Sequence, residues 1–196
     1  MHRFAKIGKK YCLSLPCLIG AVALGACADE QIPTAAPPVA ATNTTPSCGE
    51  HGFLSTTLFG SIERDLDWRA DEFACDNMLR PDGAGMRLRF TGNAAGRAIA
   101  IILAMPDLVR GQDGSELPTV VTFTVEGSGR FFSTADLDSC FSDIQMQPVD
   151  DENDKLYSAA GTLYCVTPLG EINGDAALSI PKLEFRARME WDNNDT

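Results

Sequence analysis

The sequence predicts an all-β domain, an antiparallel β-sandwich of about eight or nine strands, with an up-and-down β-barrel as the alternative. Apolar and polar residues alternate with a period of two along much of the chain, which is typical of strands that bury one face. Short segments rich in Gly, Asp, Asn and Pro separate these runs, and no long helical pattern occurs. Regularly spaced short strands favour a sandwich or a barrel over a helical or mixed fold.

The first 26 residues have the pattern of a signal peptide. A basic start is followed by an uncharged apolar run at residues 13–24, which is too short to span a bilayer as a stable helix. The next motif, Leu24-Gly25-Ala26-Cys27, resembles the bacterial lipobox. The resemblance implies cleavage after Ala26 and lipidation of Cys27, which would anchor the protein in a lipid bilayer of the cell envelope. Ala28 after the cysteine implies sorting to the outer membrane.

Residues 27–47 predict a lipidated cysteine followed by a tether. This segment is rich in Pro, Ala and Thr and carries no charge after Glu30. It cannot bury enough apolar surface to offset its chain entropy, so we expect a disordered linker of extended, polyproline character. The β-domain then occupies residues 48–196.

The β-domain begins with its longest alternating run. Even positions from Leu54 to Trp68 are mostly apolar and odd positions mostly polar, which predicts a strand, although Ile62, Leu66 and Phe73 also fit a helix over residues 61–73. The run at 98–105 is apolar throughout and predicts burial on both faces. Together with the alternating run, strands are predicted at residues 86–90, 98–105, 119–126, 130–133, 140–147, 156–166, 176–180 and 183–191.

The charge balance excludes whole classes of partner. Without residues 1–26 the chain has 12 basic and 27 acidic residues, a net charge of −15. Binding to nucleic acid requires clustered basic residues that neutralise phosphates, so no nucleic-acid partner is predicted. Polybasic docking on an anionic bilayer is disfavoured for the same reason.

Four cysteines lie in the predicted β-domain, and an even number in an exported domain predicts two disulfides. Three pairings are possible, and we favour Cys48 with Cys75 and Cys140 with Cys165. Cys48 and Cys75 flank the first strand region, and the other pair joins the start of one predicted strand to the end of another, as antiparallel neighbours require. The chain has no C-x-x-C motif, which argues against a zinc site.

No catalytic residues and no cofactor are predicted. His51 is the one histidine outside the signal peptide, and no G-x-S-x-G motif surrounds a serine. The chain has 27 acidic residues, but none stands in a sequence context that singles out a carboxylate pair for glycoside hydrolysis.

Two clusters of residues could form ligand sites, but for each of them a purely structural role is favoured. The acidic residues of segment 150–154 supply oxygen ligands of the kind that Ca²⁺ prefers, but their spacing is not that of a calcium loop, and a solvated loop is favoured. Four aromatic residues could form a platform for a sugar ring, although core packing is favoured. The two sets are Asp150, Asp151, Glu152 and Asp154, and Phe131, Phe132, Phe141 and Tyr164.

A basic face is the sharpest prediction about binding. Five basic residues occupy outward positions of two predicted strands: Arg87, Arg89, Lys182, Arg186 and Arg188. If the two strands are neighbours, these side chains form one face that suits phosphate or carboxylate groups. Alternatively, Glu184 and Glu190 pair with the arginines and the face is an ordinary solvated sheet surface.

Three segments are similar to those of uncharacterised proteobacterial lipoproteins with one disulfide-bonded β-domain, namely RPDG at 80–83, GRFFST at 129–134 and LYCV at 163–166. That resemblance implies no activity. The sequence therefore predicts a non-catalytic envelope protein that binds another envelope protein or a polar ligand. The alternative is an envelope hydrolase that acts on glycans or esters through a carboxylate pair or His51.

Overall fold

A computed structural model of the chain describes residues 47–79, 85–150 and 155–191. The predicted signal peptide, Cys27, nearly all of the tether, the RPDG segment, and Asp151, Glu152 and Asp154 lie outside these residues. The described residues include no helix that is long and apolar enough to cross a membrane.

All regular secondary structure in the described residues is β-strand. The thirteen strands are β1 (Phe53–Gly60), β2 (Arg64–Arg69), β3 (Phe73–Leu79), β4 (Met86–Ala94), β5 (Arg97–Met105), β6 (Gly114–Pro118), β7 (Val120–Val125), β8 (Arg130–Ser133), β9 (Cys140–Pro148), β10 (Leu156–Cys165), β11 (Leu169–Glu171), β12 (Ala177–Ser179) and β13 (Leu183–Glu190).

The strands form one open antiparallel sheet in the order β3-β4-β5-β7-β8-β11-β12-β1-β13-β10-β9-β6, and β2 pairs with β1 beside this path. No ladder between described strands joins β6 to β3, so the sheet does not close into an up-and-down barrel. The sheet instead folds over itself. The first half of β1 pairs with β13 and its last two residues pair with β12, so this strand passes from one layer to the other.

The two layers enclose one core. The first layer has the order β2-β1-β13-β10-β9-β6, and the second layer contains β3, β4, β5, β7, β8, β11 and β12. The ring centroids of Phe90 on β4 and Phe185 on β13 are 5.2 Å apart, and both side chains are buried in the same apolar cluster. The predicted all-β sandwich is therefore confirmed, with more strands than expected.

The extra strands have a simple origin. The strand interpretation of the run that ends at Trp68 is confirmed, and the alternative helix over residues 61–73 does not form, because β2 and the start of β3 occupy this segment. The β1–β2 hairpin places Leu54 opposite Trp68, so even positions face the core on both sides of the turn. Strands β6 and β11, which the sequence pattern does not predict, have only five and three residues, too few for alternation to identify a strand.

The alternating C-terminal run behaves as predicted. The inward residues Leu183, Phe185, Ala187 and Met189 are buried, and the residues between them are exposed. The run at 98–105 is less enclosed than predicted, because its outward residues, apart from the buried Ala100, are only half-buried.

Both predicted disulfides are confirmed. Cys48, whose carbonyl accepts a hydrogen bond from the Arg188 N–H of β13, is bonded to Cys75 of β3 and so links the two layers. Cys140 and Cys165 lie directly opposite each other on β9 and β10, within the first layer. Two disulfides indicate an oxidising compartment outside the cytoplasm.

Candidate functional site

A trough runs along β10 on the outer face of the first layer. The outward residues at its floor are Ser158, Ala160 and Thr162, all of them small. In the strand register Ala160 lies opposite Gln145 of β9 and Arg186 of β13, both long polar residues. A strand of small side chains between two strands of long ones leaves a channel, because side chains stand roughly perpendicular to the sheet.

The inner side of β10 is adapted to the same geometry. Gly161 faces the core, and a Cβ atom at this position would lie 2.5 Å from Phe185 Cζ and 2.7 Å from Ile144 Cδ1. Only a glycine lets the Phe185 ring pack directly against the β10 backbone. The floor of the trough is therefore supported from below by buried aromatic packing.

The walls of the trough have two chemically distinct halves. Toward the start of β10 the walls carry amides and guanidinium groups, and toward its end they carry carboxylates. The first half contains Gln145, Gln147, Arg186 and Arg188, and the second half contains Asp143 and Glu184.

The guanidinium half opens into a depression of about 430 Å³ that is also lined by residues of the 48–52 loop. Neither the Arg186 nor the Arg188 side chain forms a hydrogen bond or an ion pair with another described residue. Glu184 pairs instead with Lys182, Nζ to Oε1 2.9 Å. The predicted pairing of these arginines with Glu184 and Glu190 is therefore not formed, and their donors are free for a ligand.

The carboxylate half is a depression of about 510 Å³. Two of the carboxylates that line it, Asp113 and Asp143, accept hydrogen bonds that hold neighbouring segments together. Asp143 Oδ1 accepts from the Ser115 hydroxyl at 3.0 Å and from the Glu116 N–H at 2.8 Å. Asp113 Oδ1 accepts from the Met146 N–H at 2.8 Å. These carboxylates hold β6 and the loop before it against β9, so they are not a pair of carboxyl groups free for acid–base chemistry.

An aromatic pair lies beyond the carboxylates. The rings of Phe141 and Tyr164 stack with centroids 5.7 Å apart. Desolvation raises the pKa of the Tyr164 phenol, and the negative charges of Glu116 and Asp143 raise it further. The phenol is therefore a protonated donor at neutral pH.

The four aromatic residues do not form one platform, and the favoured core packing holds for Phe132 alone, because the four rings lie in different places. Phe132 is fully buried in the core against Phe123, and Phe131 is 43% exposed on the second layer. Phe141 and Tyr164 alone lie together beside the trough.

The structure does not bring the five predicted basic residues together on paired strands. Arg87 and Arg89 lie on β4, which pairs with β3 and β5 in the second layer. Arg186 and Arg188 lie on β13, which pairs with β1 and β10 in the first layer. Phe90 and Phe185 point from these strands into the same core, so the arginines that alternate with them point away from each other.

His51 and Ser158 line the same depression as Arg186 and Arg188. No hydrogen bond joins His51 to Ser158 among the described contacts, so the nucleophile and base of a hydrolase are not assembled there. In the part of the chain that the structure describes, no group of three or more His, Cys, Asp or Glu side chains is placed to hold a metal ion. Asp150 is the one member of the calcium candidate that is described.

The trough was not predicted from the sequence, although one signal points to it. Three consecutive outward positions of an alternating strand carry Ser158, Ala160 and Thr162, where exposed strands more often carry long polar residues. Which residues form the walls depends on the neighbouring strands, and that information is not local.

Comparisons of the chain with protein-family models, with curated proteins and with solved structures gave no match. Function is therefore argued from the chemistry of the site, since a fold does not define an activity.

Proposed function

We propose that the chain is a lipid-anchored protein of the bacterial cell envelope whose β-domain binds an extended polymer bearing acid groups. The trough along β10, with guanidinium and amide donors that have no partner among the described residues, is the observation that carries this proposal. The lipobox-like motif ending at Cys27 supports the anchor, and the two disulfides support a location outside the cytoplasm.

The dimensions of the trough suit a single extended chain. Its floor runs from Ser158 to Thr162, four residue steps or about 13 Å, and the Phe141–Tyr164 pair lies beyond its end. The wall strands β9 and β13 are the two neighbours of β10, so they lie about 10 Å apart. A polymer strand lying along β10 would contact both walls at once.

The free donors select acid groups in that chain. Gln145, Gln147, Arg186 and Arg188 project along the first half of the trough without partners among the described residues. Guanidinium groups bind carboxylates and phosphates through two parallel hydrogen bonds. The side-chain amides of the two glutamines can donate further hydrogen bonds to acceptor oxygens of the polymer. Without residues 1–26 the net charge of the chain is −15, which disfavours unspecific polyanion binding, so affinity must come from the fit within the trough.

The tether suits this role. Residues 28–47 would reach about 60 Å when extended as polyproline helix. That reach would carry the β-domain past the lipid headgroups to polymers of the envelope.

A matched pair of double variants tests the proposal. Binding of fluorescent acidic and neutral oligosaccharides and short acidic peptides is measured by anisotropy at one salt concentration. We expect Arg186→Gln with Arg188→Gln to weaken binding of acidic probes at least about tenfold, because hydrogen bonds to charged groups contribute about 1.5–3 kcal/mol each.

The control is Arg87→Gln with Arg89→Gln, which makes the same charge change on the other layer. We expect this control to bind as the wild type does. Equal weakening in both variants would show a general charge effect, and acidic probes that bind no better than neutral ones would refute the proposal.

A hydrolase is the second candidate, because His51 and Ser158 share the depression at the end of the trough. The same oligosaccharides and an ester substrate would be incubated with the wild type, Ser158→Ala and His51→Ala and analysed for cleavage. We expect none from any of them. Cleavage by the wild type that both substitutions abolish would establish the hydrolase in place of the binding protein.

A further inference from the structure

A separate depression lies where the core reaches the surface, and it shares no lining residue with the trough. It is formed by the β1–β2 turn, the β4–β5 turn and the adjoining ends of β7 and β8, and its volume is about 420 Å³. This volume lies within the range of small-molecule sites in proteins.

The floor of this depression is apolar. Ile99 and Val125 lie directly opposite each other on β5 and β7, and both are buried members of the core cluster. Ile62 of the β1–β2 turn and Ala94 at the end of β4 pack against the same cluster. An apolar ligand group placed here would contact the edge of the core between the two layers.

The rim of the depression is basic. Arg130 is held by Glu171, Nε to Oε1 2.6 Å, and lies 5.0 Å from the centroid of the Phe132 ring. Arg64 and Arg97 are exposed and form no ion pair or side-chain hydrogen bond with a described residue. Glu63 is the one carboxylate among the residues that line the depression.

We propose that this depression binds an amphiphilic anion, an alkyl chain with a terminal carboxylate. The chain lies on Ile62, Ile99 and Val125, and the carboxylate lies between the guanidinium groups of Arg64 and Arg97, which supply paired donors in the geometry that carboxylates accept. A free inorganic anion would contact the arginines but gain nothing from the apolar floor, and the arginines repel a cationic headgroup. The proposal needs neither the lipid anchor nor the trough.

The test uses decanoate below its micelle concentration, with acetate and decyltrimethylammonium as comparison ligands, and measures binding by titration calorimetry. We expect decanoate to bind at least tenfold more tightly than either. Binding should tighten up to about fourfold for each methylene added between hexanoate and decanoate, which corresponds to about 0.8 kcal/mol per buried CH₂.

Two double variants locate the site. Arg64→Gln with Arg97→Gln should weaken decanoate binding at least tenfold, whereas Arg87→Gln with Arg89→Gln should leave it unchanged. Arg64 and Arg97 are exposed, so their substitution should not disturb the core. A circular dichroism spectrum identical to that of the wild type would confirm that the fold is kept. Equal affinity for the cationic ligand, or an unchanged affinity in the first variant, would overturn the proposal. Binding of acetate as tight as that of decanoate would also overturn it, since the apolar floor would then have no role.

Discussion

The outer faces of the two layers differ sharply, although both layers are built from alternating strands over one core. The first layer presents long charged and amide side chains around the trough of β10. The second layer presents mainly uncharged, half-buried side chains on its central strands, namely Thr91, Ile102, Ala104, Val120, Thr122, Thr124 and Ser133.

The difference also extends to the arginines. On the second layer Arg89 is paired with Glu126 at 3.1 Å, and Arg130 is paired with Glu171. Beside the trough Arg186 and Arg188 have no such partner among the described residues. The proposal therefore distinguishes these arginines by whether a described acidic residue pairs with them, and not by how many basic residues a strand carries.

The strongest test of the comparison is a substitution in the core that both layers share. Phe185→Ala deletes a buried ring that packs against Phe90 and beneath Gly161, and we expect a loss of about 3–5 kcal/mol in the free energy of unfolding. Chemical denaturation followed by tryptophan fluorescence and by near-ultraviolet circular dichroism should give one coincident transition.

The control is Phe131→Ala, which removes a ring that is 43% exposed and should cost much less. Two separate transitions in the Phe185 variant would mean that the layers fold independently, and the faces could not then be compared as parts of one domain.

The disulfides sharpen the comparison, because one links the layers and the other lies within the first layer. Their sequence separations are 27 and 25 residues, so the chain-entropy model predicts similar losses of about 3.5 kcal/mol for either double Cys→Ser variant. Thermal unfolding of the two variants measures this. A much larger loss for the Cys48–Cys75 bond would show that contact between the layers depends on the covalent link.

Substitutions at two neighbouring positions of β10 distinguish the binding role of the trough from the packing beneath it. Gly161→Ala should destabilise the domain by about 1–3 kcal/mol, because the new Cβ would overlap the Phe185 ring. Ala160→Glu points outward and should change the free energy of unfolding by no more than about 0.5 kcal/mol. The glutamate would nevertheless fill the trough and abolish binding of acidic chains. Retained binding in a folded Ala160→Glu variant would place the ligand elsewhere.

The smallest expected effect concerns the paired arginine of the second layer. The hydrogen bond from Arg130 lowers the pKa of the Glu171 carboxyl in the folded state. Its contribution to stability is therefore complete above the unfolded value of about 4.3 and is lost as the pH falls through the lower folded value. Glu171→Gln should flatten the dependence of unfolding free energy on pH in this acidic range. Arg130→Gln should flatten it equally, and an unchanged slope in both variants would contradict the assignment.

The alternation of apolar and polar residues predicts the long strands, because the burial of each residue in such a strand follows from its position in the sequence. The run from Leu183 to Trp191 alternates cleanly, and its inward residues are buried. The disulfide pairing followed from the positions of cysteines at strand ends. The β11 strand has only three residues, and β2 continues the alternation of β1 through a turn, so neither could be recognised from periodicity.

The site was less predictable because it depends on which strands are neighbours. Arg186 and Arg188 were assigned to an outward basic face, and both are exposed. Their grouping with Arg87 and Arg89 required β4 and β13 to be adjacent in one layer, and the crossing of β1 between the layers separates them. The walls of the trough depend on the same long-range register.

The most direct test of the central claim, that the trough of the first layer is the binding face, is a map of amide chemical shifts. An acidic oligosaccharide or peptide identified in the binding assay is titrated into the isotope-labelled protein. The account predicts shifts that follow β9, β10 and β13 and centre on Gln145, Ala160 and Arg186, with β4, β5 and β7 unchanged. Shifts confined to β4, β5 and β7, or spread evenly over both layers, would contradict it.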